Sequence, residues 1–208
     1  MSRILIVDDH PVICLAVRSL LEAAGHEIVA ETNNGIDAVQ LAREHTPDMI
    51  VLDIGIPRLN GLEVIGRLEA LESPSRILIL TSQSAQHFAY RCMEAGAAGF
   101  ISKQQNLVEL QNATYAILGG YRYFPDLAFQ GKRKRGSQTS EGELIERLSD
   151  RELDVLQQLA NGIPSKDIAV SMLISPKTVS TYKSRLQEKL HAQSLVELID
   201  IARRNGLV

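Results

Sequence analysis

The sequence predicts an α/β, doubly wound, five-stranded parallel sheet followed by a small all-α domain of four helices. Three observations carry this. Four short, continuous apolar runs lie in the first half, Ile4-Leu-Ile-Val7, Met49-Ile-Val-Leu52, Ile77-Leu-Ile-Leu80 and Gly99-Phe-Ile101. Helix-period patterns separate them, which is the signature of βαβ units. The last 60 residues instead hold capping signals and helical periodicity with no strand-like run.

Taken in order, the first run leads into a helix with apolar positions at Val12, Leu15, Ala16, Leu20 and Ala23, closed by Ala24-Gly25. Ile28-Val-Ala30 is the second strand, and a helix from Ile36 to Glu44 follows Asn33-Asn34-Gly35. The third and fourth runs bracket a helix marked by Leu62, Ile65, Gly66 and Leu68. Five strands and five helices are complete by about Gly119. The runs are continuous rather than alternating, as strands covered on both faces require.

Each of the four main runs ends in a polar group: Asp8-Asp9, Asp53, Thr81-Ser82 and Ser102-Lys103. All strand C-termini of such a sheet open onto one edge, so three carboxylates, a hydroxyl and an ammonium converge on one crevice. Singly, an acidic pair or a lysine after a strand is a solvated turn residue. Jointly, they suit magnesium-dependent phosphoryl transfer, because magnesium takes an octahedron of carboxylate, phosphate and water oxygens.

In order, spacing and strand context, Asp8-Asp9, the Asp53-Ile-Gly-Ile-Pro57 loop, Thr81 and Gly99-Phe-Ile-Ser-Lys103 resemble the flavodoxin-like receiver domain of two-component response regulators. The resemblance implies that Asp53 is the phosphoacceptor of a sensor histidine kinase or phosphotransfer domain. It further implies that Asp8, Asp9, Asp53 and the backbone carbonyl of Gly55 hold Mg2+. Thr81 and Lys103 would meet the phosphoryl oxygens, and Thr81 and Phe100 would act as the switch pair. Gln83, two residues after Thr81, is expected to orient the water that hydrolyses the acyl phosphate.

In the C-terminal part, Ser149-Asp-Arg-Glu152 and Ser194-Leu-Val-Glu197 read as capping boxes, Asn161-Gly162 as a stop, and Ser175-Pro176 as an N-cap followed by proline at the first helical position. These place helices near 150–160, 165–172, 176–190 and 195–205, and the tight Leu173-Ile174-Ser175 turn makes a helix-turn-helix. The stretch from Leu148 to Leu190 resembles the LuxR-type DNA-binding domain. Helical phase puts Val179, Tyr182, Leu186 and Leu190 inward and Lys177, Ser180, Thr181, Ser184 and Gln187 outward. The resemblance assigns base contacts to Ser180, Thr181 and Ser184, and phosphate contacts would fall to Lys166, Lys177, Lys183, Arg185 and Lys189.

The 208 residues suffice for two domains, expected at 1–122 and 148–208 with a linker at 123–147. Charge divides with them: residues 1–130 carry net −6, 131–148 net +2 and 149–208 net +1. The Lys132-Arg-Lys-Arg135 run reads as a solvated tether. So weak a positive charge on the last domain implies that two copies pair on DNA to gain avidity. His10, His26, His45, His87 and His191 have no metal-ligand spacing and read as turn or surface residues; Cys14 and Cys92 read as buried, reduced thiols. No signal peptide pattern or membrane-length apolar stretch is visible, and the expectation is a cytoplasmic protein.

Together these features resemble a NarL/FixJ-type regulator of the BvgA/EvgA subgroup. That implies a hybrid sensor kinase as phosphodonor, a homodimer on phosphorylation, double-stranded promoter DNA, and RNA polymerase as a further partner. Two other classes fit parts of the pattern. One is a DNA-binding protein that keeps its receiver only for dimerisation. The other is a phosphatase-like enzyme, which the missing side chain of Gly55 disfavours because no second acid/base group stands beside Asp53.

Overall fold

The computed structural model describes residues 1–104, 107–126 and 141–208, so the Lys132 to Arg135 run lies outside the described residues. The chain divides into two compact units, Met1–Gly131 and Lys132–Val208.

The first unit is a five-stranded parallel sheet in the order β2-β1-β3-β4-β5, with strands at Arg3–Val7, Glu27–Thr32, Met49–Leu52, Arg76–Thr81 and Gly99–Ser102. Between them run α1 (Pro11–Ala23), α2 (Gly35–His45), α3 (Gly61–Ala70), α4 (Ala85–Glu94) and α5 (Leu107–Leu118). On one face Ile4, Ile6, Met49, Val51, Leu78 and Leu80 pack with Val17 and Leu21 of α1 and Leu110, Ala113 and Ile117 of α5. The residues of opposite parity, Leu5, Val7, Ile50, Leu52 and Ile79, are equally buried, so both faces are covered. Each such side chain contributes about 1.5–3 kcal/mol of burial.

The strand order reverses between β1 and β3, which opens a crevice at the C-terminal ends of those two strands. Backbone hydrogen bonds carry the ladder one residue past the strands: Asp53 N–H donates to Val7 at 2.9 Å and Lys103 N–H to Thr81 at 2.8 Å. Side chains leaving neighbouring strands are thereby set side by side. Gly61 lets α3 close on the loop after β3, since a Cβ there would lie 2.7 Å from the Asp53 carbonyl oxygen. At the outer edge Tyr123 bridges β5, and a Cβ on Gly99 would lie 2.9 Å from the Tyr123 carbonyl.

The face of α1 differs from expectation. Val12 and Leu15 are exposed, and the helix instead turns Val17 and Leu21 inward with Ile13, Cys14 and Leu20 beside them. Apolar residues go most of the way round α1, so periodicity alone could not choose the buried side.

The second unit holds α6 (Glu141–Glu146), α7 (Asp150–Ala160), α8 (Ser165–Ser171), α9 (Pro176–Leu190) and α10 (Leu195–Arg204). The helix α6 stands inside the stretch expected to be linker. Ile145 and Leu148 are buried, and Glu141 accepts hydrogen bonds from Arg204 and Asn205 at 2.8 and 3.0 Å, so α6 is built onto this unit. The box at Ser149 and Glu152 forms in full. At α10 only half of the expected box forms: Ser194 caps Glu197 N–H, but the Glu197 carboxylate takes the N–H of Gln193. The turn between α8 and α9 passes through Leu173 at φ 55°, a left-handed residue without glycine.

Candidate functional site

The crevice is assembled from residues that follow three strands. Asp8 and Asp53 are buried, and Asp9 is about one-third exposed. Lys103 Nζ lies 2.7 Å from Asp8 Oδ2 and 2.6 Å from Asp53 Oδ2, so one ammonium bridges two carboxylates. Burial would pull the lysine pKa down, but the charges and hydrogen bonds of Asp53 and Asp8 outweigh it, and the ammonium titrates above the usual lysine value. The other Asp53 oxygen, Oδ1, accepts from the Gly55 N–H at 3.2 Å. The carboxylate is therefore held from both sides.

Thr81, fully buried at the end of β4, accepts the N–H of Gln83 on its hydroxyl at 3.3 Å. Gly55 stands between Gln83 and Asp53, since a Cβ on it would lie 3.8 Å from the Gln83 amide nitrogen and 3.9 Å from Asp53 Oδ2. Phe100 is buried within β5, and its N–H donates to the Tyr123 carbonyl at 2.8 Å. The Tyr123 hydroxyl in turn donates to Glu109.

One ligating atom from each of Asp8, Asp9, His10 and Asp53 lies within 4.8 Å of the others. Hard oxygen donors packed this closely are suited to a divalent cation, which would relieve their mutual repulsion. His10 stands exposed in the turn before α1, as expected, with its Nδ1 2.8 Å from Asp9 Oδ1 and 3.2 Å from Asp8 Oδ1. His87 is a correction: it is buried on α4, not at the surface. Cys92 is buried as expected, whereas Cys14 is half-buried, directs its thiol to the Asp8 carbonyl at 3.3 Å, and lines a cleft of about 420 Å3 with Asp8, Asp9, Leu15 and Arg18.

In the second unit Ile168 and Ala169 of α8 and Val179, Leu186 and Leu190 of α9 are buried, with Leu153, Leu156, Leu198 and Ile201 completing the core. Lys177, Ser180, Thr181, Ser184 and Arg185 stand exposed on α9 and Lys166 on α8; Tyr182, Lys183 and Gln187 are half-buried. The three outward hydroxyls all donate to the carbonyl four residues earlier, at 3.1, 3.1 and 3.3 Å. What they turn outward are acceptor lone pairs.

Lys189, expected on a DNA phosphate, is exposed and pairs with Glu152, with Nζ 2.7 Å from Oε2. Burial raises the Glu152 pKa, but the hydrogen bonds from Lys189 and Ser149 outweigh it, and the carboxyl titrates below the usual range. The ammonium stays partly in solvent while it compensates the buried carboxylate. The Glu152–Lys189 tie joins the start of α7 to the end of α9, and only its capping half was legible in the sequence.

A carboxylate crevice bridged by lysine at the switch point of a parallel sheet, carried on one chain with a helix-turn-helix, defines a phosphate-switched DNA-binding regulator. Comparison with known proteins agrees. Residues 4–115 match the response regulator receiver domain and residues 146–202 the bacterial regulatory proteins of the luxR family. The chain is 54% identical over 206 residues, 99% of each chain, to the virulence-factor transcription regulator BvgA of Bordetella pertussis. It is 39% identical over 203 residues, 98% of each, to the DNA-binding transcriptional activator EvgA of Escherichia coli. A LuxR-family two-component response regulator from Aurantimonas superposes with a TM-score of 0.59 at 38% identity, covering 62% of this chain and 94% of that one. The chain belongs to the two-component response regulators that join a receiver to a LuxR-type DNA-binding domain, the NarL/FixJ type. It is a transcription regulator and not a classical enzyme. No helix among the described residues is long and apolar enough to cross a membrane.

Proposed function

We propose that Asp53 accepts a phosphoryl group from a histidine of a sensor kinase or phosphotransfer domain, and that the resulting acyl phosphate drives pairing of two chains on promoter DNA. The observation that carries this is the double clamp on Asp53, by Lys103 on one oxygen and the Gly55 N–H on the other. The carboxylate is buried and held in one orientation, as a nucleophile must be. Attack forms an Asp53 O–P bond as the donor's N–P bond breaks, and the donor imidazole leaves with the electron pair.

Asp8, Asp9, Asp53 and the Gly55 carbonyl would hold Mg2+, which when bound neutralises charge on the transferring group. Lys103 pairs with a phosphoryl oxygen as a point charge, and Thr81 turns its hydroxyl to another. That shift is passed to Phe100 and, through the Phe100–Tyr123 backbone hydrogen bond, to the chain leaving the receiver. Exposed Val12 and Leu15 on α1, the latter lining the cleft with Asp8 and Asp9, give an incoming phosphodonor an apolar surface.

On DNA, Ser180, Thr181 and Ser184 face base edges, and Lys166, Lys177, Lys183 and Arg185 take phosphates. A chain bound at a promoter in this way has RNA polymerase as its neighbour, and both partners belong to the cytoplasm.

The test is labelling of the full chain by acetyl phosphate, followed by sedimentation and footprinting. Label that requires Mg2+, is lost in Asp53→Asn and converts the protein to a dimer on paired half-sites supports the reading. Label that persists in Asp53→Asn, or with chelator present, refutes it.

A further inference from the structure

We propose that Ser180, Thr181 and Ser184 read DNA as hydrogen-bond acceptors, so that the preferred operator turns exocyclic amino groups, adenine N6 and cytosine N4, toward α9; this rests on the DNA contacts proposed above. Five serine and threonine hydroxyls lie between Ser175 and Ser184, and they fall into two sets. Ser175 Oγ accepts the Thr178 N–H at 3.1 Å and shares a hydrogen with Thr178 Oγ1 at 2.9 Å, so these two satisfy each other at the helix start. The other three residues are exposed, and each hydroxyl lies within hydrogen-bond distance of a carbonyl one turn back. Ser180 Oγ is 3.1 Å from the Pro176 oxygen, Thr181 Oγ1 3.1 Å from that of Lys177, and Ser184 Oγ 3.3 Å from that of Ser180. A carbonyl oxygen carries no hydrogen, so in all three bonds the hydroxyl is the donor.

A hydroxyl has one hydrogen to donate and two lone pairs to accept with. With the hydrogen turned into the helix, the lone pairs are what remain for a partner, and the back-bond holds the oxygen in place before DNA arrives. In the major groove the donors on the base edges are the amino groups of adenine and cytosine; guanine N7 and O6 and thymine O4 only accept. Facing adenine or cytosine, each hydroxyl keeps its carbonyl and gains a bond. Facing guanine or thymine, it must release the carbonyl and rotate its hydrogen outward, exchanging one bond for another. Every base pair carries one such amino group in that groove, on adenine or on cytosine. The three hydroxyls therefore select which strand holds the amino base at each contacted step, rather than A·T against G·C content.

The experiment uses the full-length protein treated with acetyl phosphate, and a pool of duplexes with a randomised centre as the probe. The sequence it enriches is resynthesised with single base analogues. Purine for adenine and pyrimidin-2-one for cytosine remove only the amino group, and the 7-deaza purines remove only the N7 acceptor. Loss of an amino group should weaken wild-type binding about fivefold or more at contacted positions of each half-site. Ser180→Ala, Thr181→Val and Ser184→Ala should each abolish the penalty at one position, and the comparison cancels the Watson–Crick bond that the analogue also loses. Thr181→Val keeps the shape and methyl contact of threonine, and the analogue series on the wild type needs no variant to fold. An amino-group penalty unchanged in all three variants shows the hydroxyls silent, and a 7-deaza penalty that the variants remove shows them donating. Either result overturns the proposal and leaves phosphorylation-dependent DNA binding standing, whereas a protein that enriches no sequence from the pool removes both.

Discussion

Replacing Lys103 by methionine keeps a side chain of similar length but strips the cation from two buried carboxylates. Asp8 and Asp53 are 4% and 5% exposed at the side chain, and Lys103 Nζ is 2.7 and 2.6 Å from them. Removing one partner of a buried ion pair costs about 3–5 kcal/mol, chiefly because the remaining charge is left uncompensated. For a domain of this size that lowers the melting midpoint by about 10–20 °C. Asp53→Asn alone removes a repelling charge while Asp8 keeps its lysine, so it should fall within about 1 kcal/mol of the wild type. In the double variant only Asp8 is stranded, and about 1–2 kcal/mol of the Lys103→Met loss should return. Thermal unfolding of the four proteins in chelator at pH 7 measures the cycle. A Lys103→Met protein that melts with the wild type, or a double variant no better than Lys103→Met, would show that the bridge does not hold this crevice. Linkage adds a check. The folded-state pKa of Lys103 is raised, so its contribution is complete below the usual lysine value of about 10.4 and disappears as pH rises through the raised value.

Further outcomes follow from individual contacts. Gln83→Ala should lengthen the lifetime of the acyl phosphate, read by loss of label from purified phosphoprotein; an unchanged or shorter lifetime returns Gln83 to a loop residue. Glu152→Gln should destabilise the isolated 141–208 fragment by about 1–3 kcal/mol at neutral pH. The Glu152 pKa is lowered on folding, so the difference from wild type should vanish as pH falls from the ordinary glutamate range through the lowered value, and a pH-independent difference in denaturant titrations would contradict it. Thr181→Ala and Ser184→Ala should change base preference by about 1–3 kcal/mol at single operator positions, whereas Lys177→Ala and Lys183→Ala weaken all sequences alike and each reduce the salt slope by about 1. Uniform loss in the hydroxyl variants, in titrations of single-base operator variants at two salt concentrations, would mean that another face of α9 reads DNA.

The sequence by itself determined the order of elements, the carboxylate, hydroxyl and ammonium positions at the strand ends, and the helix-turn-helix. Those features are local: period, caps and runs act within about a dozen residues, and a parallel sheet delivers every strand end to one edge whatever the detail. Inward Val179, Leu186 and Leu190 of α9 are a case where one apolar stripe allowed one answer. Tertiary structure alone decided the rest, because it turns on contacts between distant segments. The buried side of α1 was set by competition between two apolar faces. The short helix α6 joined the second unit because Ile145 found the core and Glu141 found Arg204 and Asn205, more than 60 residues away. Lys189 is paired because Glu152, 37 residues earlier in the chain, is buried within reach. His10 became part of the crevice because Asp8 and the following proline fix its backbone, and no spacing of histidines along the chain could report that.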